Sequence, residues 1–521
     1  MRTSLLPKIP QALSFEGICG LVFLATLLCA AIPLYQSYGL PLFDGHGFRQ
    51  TQTAISSFWM LREGTILPYQ TPVFGAPWMI PYEFPLYQAL AAAVAALGVP
   101  LDFAGRLVSF CFMLLLTIPL LHLTRVLTKD AALPFLTGSL YLSSPLYLHW
   151  GRAFLMETTA LFFCFTGAVL AIDYVRTDRK GYLLLAALAG TLGTLTKATT
   201  YPQCALLAGG VALFLLLTDA TPTWKTRCQK IVLLGVTAAI PVLAAFWWVH
   251  SCDGVKAASY LGFIHLSASL QSWYSMNLPM LFDASNLLLD RMLPEIFGTP
   301  WTGLLFVGIL LCAPLPTGGL ALLYCLCFLA PFVLFTKVEL VHNYYQVSNG
   351  VFLILAVGLA FHTLRNLRRS GLALALLALC LGLNYSFYVT GFYTPTREVV
   401  RQETTQQTLQ IAAFLKEHTQ PGSIVFLFGR DWNPEIPYYS ERKSVALPFW
   451  TPLPQLSGCL EHPENVTGGP LPAAVVRCPS PVGGDNADYD AQADAFIRQH
   501  FGTARVQTIG DCRVLVTADA P

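Results

Sequence analysis

The sequence predicts an α-helical polytopic membrane protein of about eleven spans that ends in a small α/β domain. Three observations carry this expectation. Hydrophobic residues make up 55% of the 521 residues and charged ones only 12%, with a mean hydropathy of +0.56, a combination foreign to soluble domains. Apolar runs long enough to cross a bilayer recur up to residue 390, and none follows. The charges that remain gather between the runs. Their balance, 31 basic against 29 acidic side chains for a net +2, offers nothing to a nucleic acid.

The runs fall near 17–35, 103–124, 131–149, 158–175, 181–196, 201–218, 231–249, 301–316, 318–335, 347–364 and 371–389. The first follows Arg2 and Lys8 but lacks a small-residue cleavage site, so it reads as a retained anchor. With the N-terminus inside, the basic groups Arg125 and Lys129, Arg176, Arg179 and Lys180, Lys225, Arg227 and Lys230, and Arg365, Arg368 and Arg369 all fall in inner loops. The apolar stretch Phe84–Val99 decides the topology, because counting its roughly sixteen residues as a crossing would turn the last two basic groups outward. It therefore reads as an interfacial or re-entrant helix inside a long first outer loop, residues 36–102.

Two regions result, a membrane domain over 1–390 and an outer α/β domain over 391–521. In the second, Ser423–Phe428 and Arg513–Thr517 read as buried strands and Ala491–His500 as a helix. The fourteen cysteines show no spacing that suits zinc. Cys459 and Cys478 are the pair available for an outer disulfide.

Charged residues next to span ends are costly unless paired or used, and the outer segments hold several. Residues 40–60 (LPLFDGHGFRQTQTAISSFWM) offer Asp44, His46 and Arg49, or in the plainer reading a solvated Asp–Arg pair. In Pro81–Pro85, Glu83 stands where it could serve chemistry or only favour a helix N-terminus. The stretch Trp150–Glu157 supplies Arg152 and Glu157, with a structural salt bridge as the bland alternative. Lys197, alone between two spans, could hold a phosphate or snorkel. His342, Tyr344 and Tyr345 lead into a late span, with Lys337 and Glu339 just before, and aromatic belts are common at such depths. Arg106 reads as an interfacial anchor unless it joins a phosphate cluster. Together, the acids Asp44, Glu83 and Glu157 and the bases Arg49, Arg152 and Lys197 suit a lipid-linked phosphate donor. Cations would hold the departing phosphate while a carboxylate takes the proton of the attacking hydroxyl.

Two other classes compete. A transporter or lipid flippase would place ionisable groups at mid-membrane and often show repeated halves, and neither is evident. A binding or assembly protein would use its tail, where Gly429–Trp432 and Tyr438-Tyr439 suit contacts, but that leaves the loop acids unexplained.

At these motifs the chain resembles the GT-C membrane glycosyltransferases over roughly residues 15–390, in particular the glycosyltransferase family 39 group of protein O-mannosyltransferases and the lipid A aminoarabinose transferase. The resemblance implies Asp44 as catalytic base. His46 is the substitute, because Arg49 stands farther from Asp44 than the family's spacing. It implies Glu83 and Glu157 as further catalytic carboxylates, and Arg49, Arg152, Lys197, His342 and Tyr345 around the donor phosphate. Phe84 stands where the aminoarabinose group often has lysine, and Ser348-Asn349-Gly350 where a proline is often seen. The implied reaction is an inverting transfer of a monosaccharide from an undecaprenyl- or dolichyl-phosphate carrier. The acceptor is a hydroxyl or phosphate on a lipid, glycan or protein at the outer face. Membrane lipid is the expected partner and nucleic acid is not. No cofactor is required, no metal is expected among the site residues, and a divalent cation stays an open question. The implied location is a bacterial inner membrane, crossed many times, with the site and the C-terminal domain on the periplasmic or extracellular side.

Overall fold

A computed structural model describes residues 14–218, 223–283, 285–480 and 486–517. Arg2 and Lys8 lie outside the described residues. Helices occupy all the expected positions, but the count of spans changes. Among the described residues, seven helices are long and apolar enough to cross a membrane: Phe15–Gln36, Leu101–Thr128, Glu157–Thr177, Ala198–Thr218, Trp224–Ala257, Leu315–Leu334 and Ser370–Arg401. The count reaches eight if Leu288–Phe297 and Pro300–Leu310, bent by 85°, form one broken span.

Local chemistry explains the shortfall from eleven. The expected run 131–149 is cut at Ser144-Pro145 into Leu133–Ser143 and Pro145–Trp150, since proline cannot donate its amide to the preceding turn. Gly298 at φ +73° ends one helix just before Pro300 opens the next. Gly181–Thr196 and Gly350–Asn366 have 16 and 17 residues, which reach only about 24–26 Å. The first stops because Lys197 turns to an extended backbone, φ −158° and ψ 102°.

The long loop over residues 36–102 is more ordered than its sequence suggests. Its helix Gly47–Glu63 buries Gln50, Thr51, Gln52, Thr53, Ser56 and Ser57 as well as Ala54 and Ile55. Leu86–Ala96, inside the stretch expected to be interfacial or re-entrant, has 11 residues, about half a crossing. Tyr87 ties it to the 101–128 helix, donating to the Gly105 carbonyl at 2.8 Å.

The helix Ser370–Arg401 continues past residue 390, and beyond it lies a five-stranded mixed sheet. Its strands are β1 (Ile424–Phe428), β2 (Lys443–Leu447), β3 (Ala474–Arg477), β4 (Arg505–Ile509) and β5 (Cys512–Val516), in the order β2-β1-β3-β5-β4. β1 runs parallel to β2 and β3, while β5 is antiparallel to β3 and β4. Every residue of β1 is buried, because helices such as Ala487–His500 cover the sheet, with Phe496 stacked on Phe426 at 5.5 Å. The disulfide joins Cys478 to Cys512 instead of Cys459 to Cys478. The register that pairs Arg477 with Arg513 brings the ends of β3 and β5 together, whereas Cys459 is a free, buried thiol on the helix Leu453–Glu461.

The long loop after the first span is sewn onto this sheet. Ser444 donates to the Pro72 carbonyl at 3.0 Å and Ala446 to that of Val73 at 2.7 Å. One hydrophobic cluster runs from Ile55, Tyr87 and Phe154 on the membrane side into Phe426, Val445 and Val475 of the sheet.

Candidate active site

The motif after the first span begins with a backbone only certain residues accept. Gly45 has φ +113°, and a Cβ there would stand 2.7 Å from the Trp150 ring, so the position excludes larger residues. His46 follows at φ +45° and opens the helix Gly47–Glu63. Gln50, one turn in, donates to Asp44 at 2.9 Å and accepts from the Phe154 amide at 2.9 Å. The first motif is thereby locked against the segment 150–157.

Asp44 sits under this turn, 1% exposed, with its oxygens claimed by Arg152, by Arg106 at 3.0 Å and by Gln50. Burial would raise its pKa, but Arg106 and Arg152 hold it well below the usual carboxylate range. Arg106 is no interfacial anchor. It is fully buried and caps the end of the first span through the carbonyls of Ser37, Leu40 and Pro41 at 3.2, 2.5 and 3.1 Å. Asp44 is thus held in a buried knot between two arginines.

The remaining candidates converge beside it. Arg49 is paired with Glu83 and donates to Gln52 at 2.5 Å. Burial works against its charge, but Glu83 outweighs that and holds the guanidinium pKa above its ordinary value. Lys197 is paired with Glu157, and its ammonium lies 3.5 Å from the Tyr345 ring centroid and 5.0 Å from that of Tyr344, within cation–π range. Burial lowers the Lys197 pKa below its ordinary value, against the opposing pull of Glu157. His342 stacks on Tyr344 at 5.5 Å, and His46 meets that tyrosine edge-on at 4.8 Å. Burial first, then the charge of nearby cations, lowers His342 to about 4, and burial also lowers His46. Both imidazoles are therefore neutral at physiological pH.

Several members of this cluster were not singled out as site residues from sequence. Asn343 Oδ1 accepts from His46 Nε2 at 3.0 Å, while its Nδ2 donates to Glu295 at 3.0 Å. Arg291 donates to the Leu340 carbonyl at 3.0 Å. Glu339 is fully buried and is pushed up to about 8 by that burial, against the opposing pull of Lys197. A signal existed for these residues, since Arg291 and Glu295 interrupt the apolar run LLLDRMLPEIF and Glu339 precedes His342 by one turn.

Buried polar atoms without a hydrogen-bond partner gather here: Oε2 of Glu157 and Glu295, both oxygens of Glu339, Nδ1 of His342 and two guanidinium nitrogens of Arg291. Natural proteins leave few such atoms, and a cluster of them marks a place arranged for a polar guest. Among the described residues no group of His, Cys, Asp and Glu is arranged to hold a metal ion.

From the sheet domain, Trp432 edges onto Phe48 at 4.4 Å and stacks on Tyr82 at 6.1 Å, next to Arg49 and Glu83.

Fold and site together define a polytopic helical membrane protein with a buried cluster of ion pairs and aromatics, built from the loops between spans and roofed by a small sheet domain. Known proteins place this class more narrowly. The family model described as dolichyl-phosphate-mannose-protein mannosyltransferase matches residues 81–248, a span that includes Glu83, Arg152, Glu157 and Lys197. The crystal structure of ArnT from Cupriavidus metallidurans in the apo state is similar with a TM-score of 0.61 at 14% identity, covering 96% of this chain and 97% of that one. The same protein bound to undecaprenyl phosphate gives 0.62 at 14% identity, covering 95% and 98%. No curated protein matches the chain. The resemblance carried by the motifs is borne out in fold, and the family model matches the segment that holds four of the candidate residues.

Proposed function

We propose that the protein is a polyprenyl-phosphate-sugar-dependent glycosyltransferase that moves a monosaccharide, with inversion, to an acceptor hydroxyl or phosphate at the outer face of the membrane. The observation that carries this reading is the convergence of Arg49–Glu83 and Lys197–Glu157 on the His342, Tyr344 and Tyr345 segment. It occurs on a fold shared with a protein crystallised with undecaprenyl phosphate.

In the proposed reaction an acceptor oxygen attacks the anomeric carbon, the bond from that carbon to the phosphate oxygen breaks, and the polyprenyl phosphate leaves with one more negative charge. Lys197 and Arg49 are the cations placed to meet that charge, each kept protonated by its carboxylate until the phosphate shares it. His342 and Tyr345 line the same place.

The acceptor's proton goes to His46 more readily than to Asp44. Asn343 Nδ2 donates to Glu295, so its Oδ1 accepts, and His46 Nε2 must carry the hydrogen between them. That leaves Nδ1 with its lone pair free, on an imidazole that burial keeps neutral. The chain carboxylate–amide–imidazole orients a base as the third member of a catalytic triad does. Asp44, already held by two guanidiniums, is poorly basic and serves to position the turn that carries His46. Glu83 and Glu157 act through the cations they hold.

The test is a mass-spectrometric search for polyprenyl-phosphate sugars in cells lacking the protein, followed by transfer with the purified enzyme. Accumulation of one species that the enzyme then consumes, releasing polyprenyl phosphate, supports the reading. Unchanged carrier pools and no release from any carrier-linked sugar would sink it.

A further inference from the structure

The end of the bundle opposite the ion-pair cluster holds a crevice of about 790 Å³. It opens between the ends of the helices Leu101–Thr128, Glu157–Thr177, Tyr201–Thr218, Trp224–Ala257, Leu315–Leu334 and Gly350–Asn366. Its mouth is lined by Lys129, Arg176, Lys230 and His362, with no carboxylate among the lining residues. Its walls are apolar, Phe214 and Leu320 among them. From Thr218 at the mouth to Gly210 inside, the crevice follows one helix for roughly 12 Å.

The cations at the mouth are held from behind. Arg176 pairs with Asp173 at 2.9 Å and Lys230 with Asp178 at 3.2 Å, while neither aspartate lines the crevice. Lys230 also donates to the Val175 carbonyl at 3.1 Å, and His362 is fixed on Asp130 at 3.0 Å. Lys129 ends its helix in a left-handed turn and, among the described residues, makes no ion pair. The result is a positioned basic rim over an apolar slot that reaches into the hydrocarbon layer.

We infer that this crevice is a binding site for an anionic membrane phospholipid, whose phosphate sits among Lys129, Arg176 and Lys230 and whose acyl chain lies along Phe214 and Leu320. A free anion would account for the rim but not for the slot, and a zwitterionic lipid would fill the slot without matching the charge. Basic pockets between membrane helices at the headgroup level recognise anionic lipids in this way. Occupancy would tie together the ends of six helices, including the one whose other end carries Glu157.

Native mass spectrometry of the full-length protein reads the preference directly, with phosphatidylglycerol and phosphatidylcholine of identical chains offered together. Phosphatidylglycerol is expected to stay bound at collision energies that strip phosphatidylcholine. Substituting Lys129→Gln and Lys230→Gln should reduce that preference by about fivefold for each charge removed. Leu320→Trp, which fills the slot and leaves the rim intact, should abolish retention of both lipids without lowering the melting temperature by more than a few degrees. Equal retention of the two lipids by the wild type overturns the proposal, and so does a preference that survives both variants. Displacement of the bound lipid by inorganic phosphate alone would reduce the site to one for simple anions and would equally overturn it.

Discussion

The imidazole of His46 and the carboxamide of Asn343 meet at 3.0 Å across a separation of 297 residues. The contact joins the turn after the first span to the short helix Asn343–Ser348 before a late one. It is also where the proposed chemistry can be separated from mere packing.

The proton should be taken at His46. His46→Gln is expected to lower turnover by about two to four orders of magnitude, the usual share of a general base, with carrier affinity little changed. Asn343→Leu should lower it by less, since the imidazole remains but loses its fixed tautomer. Because burial lowers the His46 pKa below 6.5, the acidic limb of the rate profile should fall below that value in the wild type. Initial rates at saturating donor across pH measure all of this, and near-normal turnover of His46→Gln would move the base elsewhere.

Asp44 should behave as a stability residue. Removing one member of a buried ion pair typically costs about 3–5 kcal/mol, so Asp44→Asn should melt well below the wild type or fail to purify as a monodisperse species. A variant that melts normally, binds the carrier and has lost turnover would instead make Asp44 the base.

Lys197 and Arg49 should govern use of the carrier. Charge-assisted contacts contribute about 1.5–3 kcal/mol, so Lys197→Ala and Arg49→Ala should each lower kcat/KM by roughly tenfold or more. Glu157→Gln leaves Lys197 without its counter-charge in a buried place, and the lysine then loses its proton more easily. Its rate should therefore decline at a lower alkaline pH than that of the wild type. Unchanged donor kinetics in the lysine variant would make Lys197 only a structural partner of Glu157.

Glu339 links pH to stability. Its folded pKa is pushed up from 4.5 to about 8, so between those values the folded protein keeps a proton that the unfolded chain has lost. Stability from this group is complete below the lower value and is lost as pH rises through the window. Glu339→Gln is neutral throughout, so its melting temperature relative to wild type should rise between about pH 5 and about pH 8. A constant difference across that range would show that Glu339 is ionised in the fold.

Sidedness follows from the basic inner loops. A cysteine at the exposed Ala487 should react with an impermeant thiol reagent in intact cells at a rate unaltered by lysis. Labelling that requires lysis would reverse the membrane orientation and place the ion-pair cluster on the inner side.

The sequence by itself determined the class of fold, the place of each long apolar helix and the segments whose charged residues the fold gathers into one cluster. Hydrophobic runs, helix-ending prolines and clustered charges are local, and their costs in a bilayer are too large to be hidden by distant contacts. The helix over residues 487–500 and the strands β1 and β5 were legible for the same reason, as short periodic segments between turn signals.

What only the tertiary structure decided is which charges meet. Arg152 and Lys197 look alike in sequence, each a cation at a span end, yet one closes on Asp44 and the other on Glu157. Pairing in a poorly solvated interior depends on a few ångströms of position that no local pattern encodes. The same holds for the disulfide, where the register of β3 against β5 chose Cys512 over Cys459. It holds too for the tautomer of His46, set by Asn343 and Glu295 from elements that reach it only after the bundle has closed.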